Sequence, residues 1–159
     1  KKCAGCTVVS FQDTPLADVS TRIPQLTTTL LQQNGAKWTH SLAINDLYYD
    51  FMPPALQAAG IAGDGDPQNI SAGDGSESAF QRIRAKDHQA ATVPEPLAMQ
   101  GWQLVDELNR AFAGEKWSGY VPGVHLVTPD NVAYDGGPKN VFDPDNGYRA
   151  EYKKIWGVN

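Results

Sequence analysis

Three side chains able to bind a polyhydroxylated ligand each sit just past a strand-like run. Asn45 follows Thr39-His-Ser-Leu-Ala-Ile44, Asp74 follows Asn69-Ile-Ser-Ala-Gly73, and Glu95 follows Gln89-Ala-Ala-Thr-Val93. A carboxylate accepts hydroxyl donors, and an amide both donates and accepts, so the set suits vicinal hydroxyls. In an open parallel α/β sheet, ligands bind in the crevice outside the carboxyl ends of the strands. Each residue also reads as a plain turn residue: Asn45-Asp46 as the cap of a following helix, Asp74-Gly75 as a turn dipeptide, Glu95 as surface. Tyr48, Tyr49 and Trp102 lie near the crevice in sequence and could face a sugar ring, although core packing is the commoner use of such residues.

Other constellations carry less chemistry. Asp64-Gly65-Asp66 begins like a calcium loop, but Asn69 stands where the loop glycine belongs and Gly75 where the bidentate glutamate belongs. His40, His88 and His125 lack metal-ligand spacing, so we expect no metal. No nucleophile elbow, P-loop or dinucleotide fingerprint occurs, and we expect neither catalysis nor a cofactor. Cys3-Ala-Gly-Cys6 precedes a strand-like run instead of opening a helix, which favours a local disulfide in an oxidising compartment over a redox-active pair.

The elements that position these residues alternate along the chain. Thr7–Ser10 reads as a strand, Gln12–Arg22 as a polar segment, and Pro24 as the start of a helix to Gln33, stopped by Asn34-Gly35. Thr39–Ile44 reads as the second strand. A helix from Tyr48 to Ala59 follows, starting late or kinked at Pro53-Pro54. Asn69–Ala72 is the third strand, and Ser76 caps a helix to Ala85. Gln89–Val93 is the fourth strand, and a helix over Leu97–Phe112 carries an apolar stripe. Val121–Thr128 reads as a fifth strand and Gly147–Trp156 as a short amphipathic helix. Strands separated by helices predict an α/β fold with a doubly wound, mostly parallel sheet and helices on both faces.

Bulk properties agree. The 159 residues suffice for one domain with a real core, at 41% hydrophobic and 19% charged residues. A net charge of −5, without clustered Lys or Arg, excludes a nucleic-acid surface. There is no apolar run of membrane-spanning length. The start at Lys1-Lys2-Cys3, so close to a strand-like run, leads us to expect a processed or truncated chain.

Leu42-Ala-Ile-Asn-Asp46, Ala55-Leu-Gln-Ala-Ala-Gly60, Ser71-Ala-Gly-Asp-Gly75, Ala90-Ala-Thr-Val-Pro-Glu-Pro96, Gln100-Gly101 and Leu126-Val-Thr128 occur in this order. In combination they resemble the C-terminal half of the periplasmic sugar-binding proteins of ABC importers, of the ribose-binding type, over residues 3–132. LacI-type repressor effector domains share that fold. The resemblance implies sugar contacts from Asn45, Asp74 and Glu95, the last replacing a commoner amide, and from Asp18 in the loop after the first strand. It implies a small sugar or polyol as ligand, membrane permease subunits as partners, and a periplasmic or extracellular location. It further implies that residues 1–132 are a C-terminal-lobe portion, in which 97–119 would pack on an N-terminal lobe absent here. Residues 133–159 would be a C-terminal extension. The absent lobe, or a second copy of the chain, would cover the exposed stripe. Rival expectations are a LacI-type effector domain, a C-x-x-C oxidoreductase, and a scaffold without a ligand site.

Overall fold

The computed structural model describes residues 3–159. Its sheet is small. Strands β1 (His40–Ala43) and β2 (Gln68–Ser71) pair in parallel, in a register running from His40 opposite Gln68 to Ala43 opposite Ser71. Single bridges extend it, parallel between Ile70 and Ala91 and antiparallel between Thr92 and Val127. The helices are α1 (Val19–Asn34), α2 (Leu47–Asp50), α3 (Pro53–Ala58), α4 (Glu77–Ala85), α5 (Leu97–Phe112), α6 (Val132–Asp135) and α7 (Tyr148–Trp156). The α/β architecture with a mainly parallel sheet is the one that the alternating pattern predicts.

Several boundaries differ from expectation for physical reasons. Thr7–Ser10 is not a strand; it makes no ladder hydrogen bonds, and Val8 and Phe11 are 83% and 86% exposed. Strand-forming residue types do not suffice without a paired neighbour and a surface to pack on. Helix α1 begins at Val19, well before Pro24, which lies inside it. A turn over Leu16–Asp18 leads into it, and burial of Val19 and Ile23 outweighs the interior proline. The region expected as one helix from Tyr48 is two, α2 and α3, divided at Phe51-Met52 with Pro53 opening the second. Of the fifth strand, Val127 alone pairs. Ser76 does cap α4, its Oγ accepting Ala79 N–H at 3.2 Å.

Among the described residues, most large buried apolar side chains gather in two clusters. Val19 and Ile23 of α1, Trp38, Tyr49 of α2, Met52 and Leu56 of α3 form the first. Phe80 and Ile83 of α4, Val127 and Val132 form the second. Each fully buried side chain such as Leu56 or Phe80 contributes about 1.5–3 kcal/mol. Along β1 the alternation is clear: Ala43 packs on the first cluster, while Leu42 and, just beyond the strand, Ile44 are 82% and 76% exposed. Helix α5 packs on α7 and leaves Leu97, Leu104, Val105, Leu108 and Phe112 exposed.

Candidate functional site

Parallel pairing of β1, β2 and the Ala91 segment brings their carboxyl ends side by side, and with them Asn45, Asp74 and Glu95. Asn45 Nδ2 donates to Asp74 Oδ2 at 2.7 Å, and Leu47 N–H donates to Asn45 Oδ1 at 2.8 Å, which fixes the amide's orientation. The Glu95 N–H donates to the Asp74 carbonyl at 3.2 Å. Gln100 Nε2, one turn into α5, donates to Glu95 Oε2 at 3.0 Å. The three residues are thus contiguous. Asp74 is exposed and Asn45 and Glu95 are half-buried, and together they form one open polar wall.

This wall keeps acceptor capacity to spare. Each carboxylate has one oxygen committed in these bonds and a second free to accept, and each oxygen carries two lone pairs. No cation is paired with either carboxylate among the described residues. The arrangement can receive several hydroxyl or ammonium donors at once.

Asp18 makes no hydrogen bond to these three residues. It ends the turn before α1, its half-exposed carboxylate lies 4.0 Å from Arg22, and its carbonyl accepts Thr21 Oγ1. The nearer tie from that segment is Thr14, whose carbonyl accepts the Tyr48 hydroxyl at 2.7 Å. The aromatic candidates are occupied by packing. Tyr49 is buried, its hydroxyl donating to the Ile70 carbonyl at 2.9 Å; burial raises its phenol well above the ordinary value, and the Asp46 carboxylate adds to the rise. Trp102 lies against α7, stacked on Trp156.

The residue that the sequence reading missed is Asp46, taken there as half of a helix cap. Its side chain points inward and is 1% exposed. One carboxylate oxygen accepts Ser71 Oγ and, at 2.7 Å, Gln89 Nε2. The other accepts Gly75 N–H at 2.7 Å, Ser76 N–H at 3.2 Å and Thr92 Oγ1 at 3.1 Å. Gln89 is held in turn by Arg82 Nε at 3.0 Å, and Arg82 reaches Asp50 at 2.5 Å. The signal in the sequence was the polar residues Ser71, Gln89 and Thr92 inside strand-like runs, since buried polar groups require partners.

The remaining candidates lie apart. Cys3 and Cys6 form a disulfide in an exposed turn that leads into an extended segment, not a helix N-terminus, so the setting that activates redox thiols is absent there. The Asp64-Gly65-Asp66 loop borders a cavity of about 320 Å³ at the amino end of the strands, together with Gln68, His88 and Asp130. No group of His, Cys, Asp and Glu among the described residues is arranged to hold a metal ion. No helix among them is long and apolar enough to cross a membrane.

This geometry, with side chains aligned at the carboxyl ends of a small parallel sheet flanked by helices, matches one lobe of a periplasmic-binding-protein fold. Nine solved chains match, two of them as follows. One is a galactofuranose binding protein, 16% identical, with a TM-score of 0.59 over 71% of this chain and 38% of its own. The other is the substrate-binding protein of a sugar ABC transport system from Bordetella parapertussis 12822, 17% identical, with a TM-score of 0.59 over 88% of this chain and 45% of its own. The chain therefore spans less than half the length of either. No family model and no curated protein sequence matches it.

Proposed function

We propose that this chain supplies one ligand-binding wall of a solute-binding protein, taking a small sugar or polyol through Asn45, Asp74 and Glu95. The carrying observation is the contiguity of those three side chains at adjacent strand ends, with carboxylate oxygens left free. The two structural neighbours are described as sugar-binding or sugar-transport proteins, which supports the ligand class. Permease subunits of an ABC importer are the partners that this reading implies. The Cys3–Cys6 disulfide supports a periplasmic or extracellular setting over that of a cytosolic repressor domain.

The second wall comes from polypeptide packed on the exposed stripe of α5, either a further lobe or another copy of the chain. Five large apolar side chains in one helix stripe favour a covering partner. In the two-walled form, ligand between the walls stabilises a closed arrangement over an open one.

The test is thermal unfolding against pentoses, hexoses and polyols. Ligand at 100 times its Kd stabilises by about 2.7 kcal/mol, a visible shift of the midpoint. A shift with one sugar that disappears in Asp74→Ala is the expected result. A cooperative melt unmoved by every sugar, in the chain alone and when joined to a companion lobe, sinks the proposal.

A further inference from the structure

Asp46 is almost wholly buried, yet its bonds tie together the segments that present the polar wall. Its own N–H donates to the Gly73 carbonyl at 2.7 Å, and its carboxylate takes the next free N–H groups on the far side of Asp74, those of Gly75 and Ser76. The turn bearing Asp74 is thereby gripped on both sides by the residue that follows Asn45. The same carboxylate takes Ser71, which precedes that turn, and Thr92, in the segment leading to Glu95. Five donors converge on one carboxylate, which has about four lone-pair sites. Burial without a cation in direct contact requires such saturation, because an unmatched buried charge is strongly destabilising.

We propose that Asp46 is the positioning residue of the site: it fixes the spacing of Asn45, Asp74 and Glu95 without touching the ligand. Gln89 acts behind it, locked by Arg82 so that its amide N–H₂ faces Asp46. The inference rests on the ligand reading above for its functional consequence, but its structural part stands apart from that reading.

The experiment is residue-resolved amide hydrogen exchange on the full chain, comparing wild type with Asp46→Ala and Asp46→Asn. The Leu56 amide, hydrogen-bonded to Met52 in the first apolar cluster, is the reference for global stability. Asp46→Ala should lower protection at Gly75 and Ser76 by more than about tenfold beyond the loss at Leu56. Asp46→Asn should restore part of it, since the amide oxygen can turn toward those two N–H groups. Equal loss at all three amides would mean that Asp46 is a general stabiliser, and the proposal fails. Where Asp46→Ala does not fold, Asp46→Asn and Thr92→Val carry the comparison, with smaller losses expected at the same two amides and a uniform loss again overturning it.

D-galactose is the affinity probe, followed by the other sugars of the panel. Asp46→Asn should weaken binding by about tenfold or more, and far less when Asp74 is already Ala, since both changes disable one wall. Additive losses would count against positioning. If wild type binds no sugar, the ligand reading falls, and the exchange comparison still decides the role of Asp46.

Discussion

Trp102 of α5 and Trp156 of α7 stack face to face, with centroids 5.3 Å apart and planes inclined by 5°. Trp156 Nε1 also donates to the buried Asp106 at 2.8 Å, and Asp106 takes a second bond from Arg110 at 3.0 Å. Tyr152 and Tyr148 flank Trp102, with centroids 6.3 Å from it. The short C-terminal helix is held to α5 by this aromatic stack and one buried carboxylate.

Replacing Trp156 by Ala should therefore detach α7 and not unfold the chain. The stack contributes about 0.5–1.5 kcal/mol beyond area burial, and Asp106 loses one of its two partners. The near-ultraviolet circular dichroism of the tryptophan pair should collapse and α7 amides should lose protection, while those of α1 and α4 keep theirs. Retention of the α7 amides would show that the stack does not anchor the helix.

Gly75 sits at φ +81°, and a Cβ there would lie 2.2 Å from Pro94 Cβ and 2.9 Å from Pro94 Cα. Gly75→Ala combines a left-handed backbone with a clash against a rigid ring, so about 1–3 kcal/mol of destabilisation is expected. Denaturant unfolding measures it. The displacement should also part Asp74 from Asn45, so that sugar-induced stabilisation falls more than stability does. A neutral effect on both would mean that the turn yields freely.

The cluster of Asp143, Tyr148 and Arg149 gives a pH signature. Burial and the hydrogen bond to Asp143 push the Tyr148 phenol up to about 12. Burial raises the Asp143 carboxyl, but bonds from Arg149 at 2.7 Å and Tyr148 at 2.9 Å more than offset it, leaving the carboxyl below its ordinary value. A raised folded value means that the Tyr148 contribution is complete below about pH 10 and is lost as pH climbs through about 12. A lowered one means that the Asp143 contribution is complete above about pH 4 and is lost as pH falls through the depressed value. Tyr148→Phe should remove a late component from the phenolate absorbance titration. Arg149→Ala should shift acid destabilisation to higher pH, less so in high salt because Arg149 is exposed. An unchanged alkaline titration in Tyr148→Phe would contradict the assignment.

The long elements were legible in the sequence because their signals are local. The apolar stripe fixed α5 at Leu97–Phe112, and Ser76 marked the start of α4. Pro53 announced the break between α2 and α3. Strand-like runs at Thr7–Ser10 and Val121–Thr128, of which Val127 alone pairs, misled because a strand exists by pairing, which no single segment records. At the wall, the proximity of Asn45, Asp74 and Glu95 followed from strand order. Asp18 makes no hydrogen bond to them; its contacts, with Arg22 and Thr21, stay within its own turn and helix. Asp46 was hidden because an Asx residue after a strand looks like a cap, whereas its partners lie 25 to 46 positions away.

The two apolar clusters have no residue in common, and a buried polar set ties the segments that carry them: Asp46, just before α2 of the first, is bonded to Ser71, Gln89 and Thr92, all at most 2% exposed, and Thr92 pairs with Val127 of the second. Apolar contacts forgive small displacements, whereas a seam of directional bonds holds only at one alignment. The two halves of this small body are therefore keyed together like a lock, not merely glued. Damage to the seam should appear first as a broadened, two-step melt, with each cluster failing at its own temperature, before it appears as a lower midpoint.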